Sequence, residues 1–95
     1  MSSLDEVRRI VNGVPPGQVI TYGEIAARIG TGPRHAGRLV AQLGDGSPWW
    51  RIVYWDGSPA ACHDGVAPNL LAQEATPMCA DRVDIRRARA KQPKP

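Results

Sequence analysis

Cys62 and His63 are neighbours in the chain, and an imidazole beside a thiol is the least equipment needed to generate a thiolate nucleophile. A second set of residues suits recognition instead of bond-making. Ten arginines stand against two lysines, and a flat, forked cation fits phosphates and bases better than a point charge does. Arg28, Arg34, Arg38 and Arg51 are opposed across the middle of the chain only by Asp45. Phe is absent, and of the five aromatic residues Tyr22, Trp49, Trp50, Tyr54 and Trp55, four fall within residues 49–55. An aliphatic core needs no such crowding, so that segment is either a packing knot or a binding surface. Cys62 and Cys79 have neither a disulfide framework nor metal-ligand spacing around them, so no metal and no cofactor are expected.

The elements that must position these groups are short. Ser3 and Glu6 have capping-box spacing ahead of Leu4, Val7, Ile10 and Val11, which predicts a helix over about 4–12. Asn12 and Gly13 stop it, a Pro-Pro-Gly turn follows, and Gln18–Ile20 reads as extended. Thr21 and Glu24 form a second capping box for a helix with Tyr22, Ile25, Ala26 and Ile29 inward, closed by Gly30. Pro33 suits the first position of a third helix reaching about Leu43. Two short helices joined by a glycine-containing turn predict a helix-turn-helix.

In the third helix Ala36, Leu39, Val40 and Leu43 recur at core spacing, which turns Arg34, Arg38 and Ala41 outward, with Gly37 a notch beside them. Such a face can approach a nucleic-acid groove closely; it can equally be a solvated surface. Beyond it, Ile52–Tyr54 reads as a strand, Asp56–Gly57 as a turn and 58–66 as irregular. Ala67–Ala75 reads as a helix, Arg82–Ile85 as a strand placed beside 52–54 as a small wing, and Arg86–Ala90 as a last helical turn.

The expected fold class is therefore α+β, mainly helical: a winged-helix-like domain with a helix-turn-helix and a small β element. Ninety-five residues leave room for one such domain, expected over 1–90, with 91–95 a disordered tail. The net charge of +3 is modest but unevenly spread. No apolar run has the length of a membrane span and no signal-peptide pattern opens the chain, so a reduced, intracellular location is expected: cytoplasmic, nucleoid-associated in a prokaryote or nuclear in a eukaryote.

Three stretches in register carry a resemblance to a known family. Val14 through Ala26 (VPPGQVITYGEIA), Pro33 through Arg38 (PRHAGR) and Pro48 through Val53 (PWWRIV) look like the DNA-binding domain of O6-alkylguanine-DNA alkyltransferases. The family pattern is approximately I-P-x-G-x-V-x-T-Y-G-x-I-A, then an Arg followed three residues later by Gly, then P-C-H-R-V. The likeness is close over about 4–57 and loose beyond. At the third stretch this chain departs: Trp49 stands in the slot of the nucleophilic Cys and Trp50 in that of the His. Alkyl transfer is a displacement at carbon and needs an activated thiolate, which an indole cannot supply. The chain thus resembles the alkyltransferase-like proteins, which bind the lesion without repairing it and expose it to nucleotide excision repair.

The resemblance implies roles for single residues. Tyr22 matches the tyrosine that presses on the 3' phosphate of the target nucleotide and helps it rotate out of the stack. Arg34 matches the arginine finger that fills the gap left in the duplex. Gly37 matches the glycine that lets the helix into the minor groove, and Ala36 is expected to serve the same end. Thr21 and Arg38 are expected to join them at the DNA, Arg38 from helix geometry alone. Trp49, Trp50, Arg51, Ser58 and Pro59 are expected around the lesion pocket, Trp49 open to it near the outward arginines. Arg51 is also expected to hold backbone and acidic groups, and Trp50 equally to pack as core. The partner implied is duplex DNA containing O6-alkylguanine, bound by a monomer that signals to nucleotide excision repair proteins, with no catalytic residue.

Three other readings remain. Alkyl transfer could run through Cys62, thirteen residues beyond the slot that Trp49 fills. A winged-helix regulator would read a sequence in the major groove, usually as a dimer. A protein-interaction module would use the tryptophan cluster without DNA.

Overall fold

A computed structural model describes residues 3–44, 46–61 and 65–89. Helix α1 (Ser3–Asn12) leads to strand β1 (Ile20–Thr21), helix α2 (Tyr22–Ile29) and helix α3 (Pro33–Ala41). A single 3-10 turn, Trp49–Arg51, runs into strand β2 (Ile52–Val53). Helix α4 (Ala67–Gln73), the hairpin β3 (Met78–Cys79) with β4 (Arg82–Val83), and a last helical turn α5 (Ile85–Ala88) complete the order.

Local chemistry explains the helix ends. In α2 the Thr21 hydroxyl accepts from the Glu24 N–H at 3.1 Å and the Glu24 carboxylate accepts from the Thr21 N–H at 3.3 Å, so two otherwise orphaned donors are satisfied reciprocally. Gly30 ends the helix in the left-handed conformation, φ 74°, which costs glycine nothing. Pro33 opens α3 as predicted. At α1 Ser3 is itself helical, so it is the first residue of the helix and not the cap ahead of it.

The core is built where periodicity placed it. Val7 and Val11 of α1, Ile25 and Ala26 of α2, and Ala36, Leu39 and Val40 of α3 bury against one another with Leu43, Trp49 and Ile52. A smaller cluster of Val19, Val53, Leu71, Val83 and Ala88 lies beside it, and Trp50 packs against both.

The β elements depart from expectation. β2 does not pair with 82–85; it pairs in parallel with β1, Ile20 opposite Ile52 and Thr21 opposite Val53. Parallel strands need a long crossover, and here α2 and α3 supply it. β4 pairs antiparallel with β3, Met78 opposite Val83. The wing is thus the hairpin itself, docked on the turn after β2 by the Val83 N–H donating to the Gly57 carbonyl at 2.8 Å. Helix α4 stops at Gln73, short of Ala75, and α5 begins at Ile85, a residue expected in the strand. Ala90 and the predicted disordered tail 91–95 lie outside the described residues.

Candidate functional site

The parallel register brings two rings together. Since Thr21 sits opposite Val53, the next residues, Tyr22 and Tyr54, leave the strands side by side, and neighbouring strands are about 4.8 Å apart. The observed ring centroids are 4.8 Å apart with planes tilted by 40°. Tyr22 lies beneath, 6% exposed; the Tyr54 ring is the outer one. From the other side comes the outward face of α3, with Arg34 and Arg38 exposed and Gly37 half-buried. Tyr22, Tyr54, Pro33, Arg34 and Gly37 line an open concavity of about 330 Å³, at the small end of the range for small-ligand sites.

The charge around it is uneven. Arg8, Arg51, Arg82, Arg87 and Arg89 each meet a carboxylate, on Asp5, Glu74, Asp56, Asp84 and Glu24 in that order. Arg28, Arg34, Arg38 and Arg86 make no ion pair with any described residue. Three of these four lie on the helix-turn-helix. Unpaired guanidinium groups on a shared unit leave a positive field available to an anionic polymer.

Several expected site residues are placed differently. Trp49 does not line this concavity: it is 3% exposed and packs in the core cluster that also holds Ala36, Leu39 and Val40, behind α3 and not on its outward face. It meets Trp50 edge-on, ring centroids 5.8 Å apart. Trp50 is partly buried and packs against both core clusters, the packing role left open by the sequence. Its indole lies beside Arg51, whose guanidinium carbon is 5.5 Å from the ring centroid. Ala36 is 0% exposed and cannot touch a groove; an i, i+3, i+4 core position cannot also face solvent. Thr21 is buried with its hydroxyl committed to the α2 cap.

Arg51 is structural. Its Nε donates to the Glu74 oxygens at 3.0 and 3.1 Å, its Nη2 donates to the same carboxylate, and its Nη1 donates to the Val14 carbonyl at 2.8 Å. Burial pushes the Glu74 carboxyl up, but the hydrogen bonds from Arg51, with its charge, outweigh it and hold the group below its ordinary value. Ser58 and Pro59 do not line the concavity either. They close the turn after β2: the Ser58 N–H donates to Asp56 Oδ1 at 3.0 Å and Pro59 bridges back to Val53. That backbone donor, then the Ser58 side chain, lowers the Asp56 carboxyl. Cys62 and His63 lie outside the described residues. Among the described residues no cluster of His, Cys, Asp or Glu could hold a metal, and no helix is long and apolar enough to cross a membrane.

Sequence reasoning missed Tyr54 as a site residue. Its only signal was membership of the aromatic cluster, because its place beside Tyr22 depends on a strand pairing between residues thirty-two apart.

With this geometry, residues 3–76 match the family described as 6-O-methylguanine DNA methyltransferase, DNA binding domain. A relative from Vibrio parahaemolyticus, described as a DNA base-flipping protein, is 36% identical over 58 residues, which are 57% of this chain and 58% of its own length. The chain thus matches under two thirds of that relative. Two solved structures share the fold. Atl1 of S. pombe, in complex with damaged DNA containing O6-carboxymethylguanine, superposes with a TM-score of 0.79 at 23% identity over 95% of both chains. A second S. pombe structure, of ATL in complex with DNA, gives 0.79 at 22% identity over 94% of both.

Proposed function

The chain belongs to the family of the 6-O-methylguanine DNA methyltransferase DNA-binding domain, and from that membership we propose that it recognises O6-alkylguanine in duplex DNA by everting the damaged nucleotide, and leaves the alkyl group in place. The observation that carries this reading is the concavity at the outward face of α3, where Arg34, free of any ion pair with a described residue, stands beside Gly37 and the Tyr22–Tyr54 ring pair. Arg38, exposed on α3, and Arg28, exposed on α2, add positive charge to the same helix-turn-helix. The base-flipping relative and the DNA complexes of the same fold support the reading.

The physical scheme is balanced. Everting a base costs a few kcal/mol, less for a weakened pair, and stacking on an aromatic ring returns about 1–3 kcal/mol per base. Arg34 is the group to enter the vacated space, since a flat cation can stack there. Non-catalysis rests on Trp49. By the motif it occupies the nucleophile's slot, and its indole fills that space within the core where a thiol would be needed. Trp49 contributes by sealing the slot, not by stacking on the base. The complex would be read by nucleotide excision repair proteins, with the chain acting as a monomer.

The test is affinity for matched duplexes containing guanine or O6-methylguanine, followed by intact-protein mass measurement. The lesion duplex is expected to bind more tightly, Tyr22→Ala and Arg34→Ala to weaken binding, and the protein mass to stay unchanged. Equal affinity for the two duplexes would sink lesion sensing. Preference for one sequence over another, in a dimer, would favour the regulator, and a methyl adduct on Cys62 would restore alkyl transfer.

A further inference from the structure

The fold buries Trp49, covers Trp50 in part and, through the β1–β2 register, presents two other rings. Tyr54 covers Tyr22 and is itself 43% exposed, and it forms one wall of the concavity shared with Arg34 and Gly37. Trp55 follows it and is 85% exposed. An isolated exposed apolar residue needs no explanation, but this one is mounted on a braced turn. The Tyr54 N–H donates to the Ser58 carbonyl at 2.9 Å, the Gly57 N–H to the Tyr54 carbonyl at 2.9 Å, and the Val83 N–H to the Gly57 carbonyl at 2.8 Å. Asp56 adds the bond from Ser58 at 3.0 Å and an ion pair to Arg82 at 3.7 Å. A backbone braced in this way is already ordered before binding, which leaves only the side-chain rotamers to be fixed.

The occupant follows from the surroundings. Trp55 is the next residue in the chain after Tyr54, the wall of the concavity. The charged residue lining that concavity is Arg34, which makes no ion pair with any described residue. Flat rings beside a free cation match a nucleobase joined to phosphate better than an aliphatic protein face.

We infer that Tyr54 and Trp55 are the base-stacking surface of this protein, Tyr54 as the wall against which an everted nucleobase rests and Trp55 as an outer ring stacking on a base beside it. The inference rests on the DNA-binding reading above and adds the residues that carry the stacking. Neither ring is core, so Trp55→Ala should fold normally; Tyr54→Leu keeps Tyr22 covered while removing the aromatic face.

Binding of labelled duplexes, with guanine or O6-methylguanine, should weaken by about 5- to 150-fold for each variant, the range that aromatic stacking implies. Trp55→Phe and Tyr54→Phe should retain most of the affinity. The salt dependence should keep its slope in all of them, because no positive charge is lost, whereas Arg34→Ala removes one and flattens it. Since Trp49 is buried and Trp50 partly buried while Trp55 is 85% exposed, acrylamide quenching of the wild type reports chiefly Trp55, and saturating DNA should protect it. Variants binding within twofold of wild type, or unchanged quenching in the DNA complex, overturn the inference while DNA binding by Arg34 stands. A wild type that binds neither duplex defeats the functional reading itself.

Discussion

A methyl group added at Gly37 would meet the Tyr22 ring at 3.9 Å, which is ordinary contact, and nothing closer. The site is mid-helix, where alanine is about 1 kcal/mol more favourable than glycine. Gly37→Ala is therefore expected to raise stability by about 1 kcal/mol in urea unfolding, and to weaken duplex binding because the methyl fills the concavity. A variant that is both more stable and an equally good DNA binder would show that α3 does not approach DNA at this notch. At this scale the sequence was readable wherever a side chain's direction follows from helical period: Arg34, Arg38 and Ala41 are exposed and Leu39, Val40 and Leu43 buried, as predicted. The same rule, applied to Ala36, already excluded a groove contact that the family motif suggested. Trp49 was not readable, because a motif gives the slot of a residue and says nothing of whether that slot is open.

The elements divide by how local their causes are. The α2 cap and its Gly30 stop are set by residues three or four apart, and they stand as predicted. Strands of two residues carry no period of their own, so the partner of β2 could not be read from the chain; burial on both faces of Ile52 and Val53 decides for β1. The hairpin β3–β4 takes its position from the turn after β2. Gly57 there has φ 88°, and a Cβ would stand 2.2 Å from the Val83 carbonyl oxygen. The backbone strain alone costs about 1–3 kcal/mol in a residue with a side chain, and the collision forces the hairpin off its seat. Gly57→Ala is expected to destabilise by more than about 3 kcal/mol and to speed hydrogen exchange at the Val83 amide ahead of the α2 and α3 amides. Uniform exchange across all of them would mean that the hairpin and the helix-turn-helix unfold as one unit.

At the level of the whole molecule, the most covered of the ion pairs between regions distant in sequence is Arg51–Glu74. Arg51 follows the tryptophans, Glu74 ends α4, and the bond from Arg51 to the Val14 carbonyl reaches the segment between α1 and β1. Both side chains are largely covered, and removing one partner of such a pair costs about 3–5 kcal/mol because the other charge is left buried. Glu74→Gln is thus expected to lose about 3 kcal/mol near neutral pH. The pH dependence has a definite sign. The folded Glu74 carboxyl titrates below its ordinary 4.5, so its contribution is complete above that value and fades as pH falls through the lower folded value. The gap in unfolding free energy between wild type and Glu74→Gln should therefore narrow on acidification below about 4.5, and stay constant from there to neutrality. If the tie serves folding alone, DNA affinity of the folded variant will match the wild type, since neither residue lines the concavity. A loss of lesion preference with folding intact would instead mean that the Trp49–Arg51 turn transmits to the site, and Arg51 would have to be counted among the residues that position it.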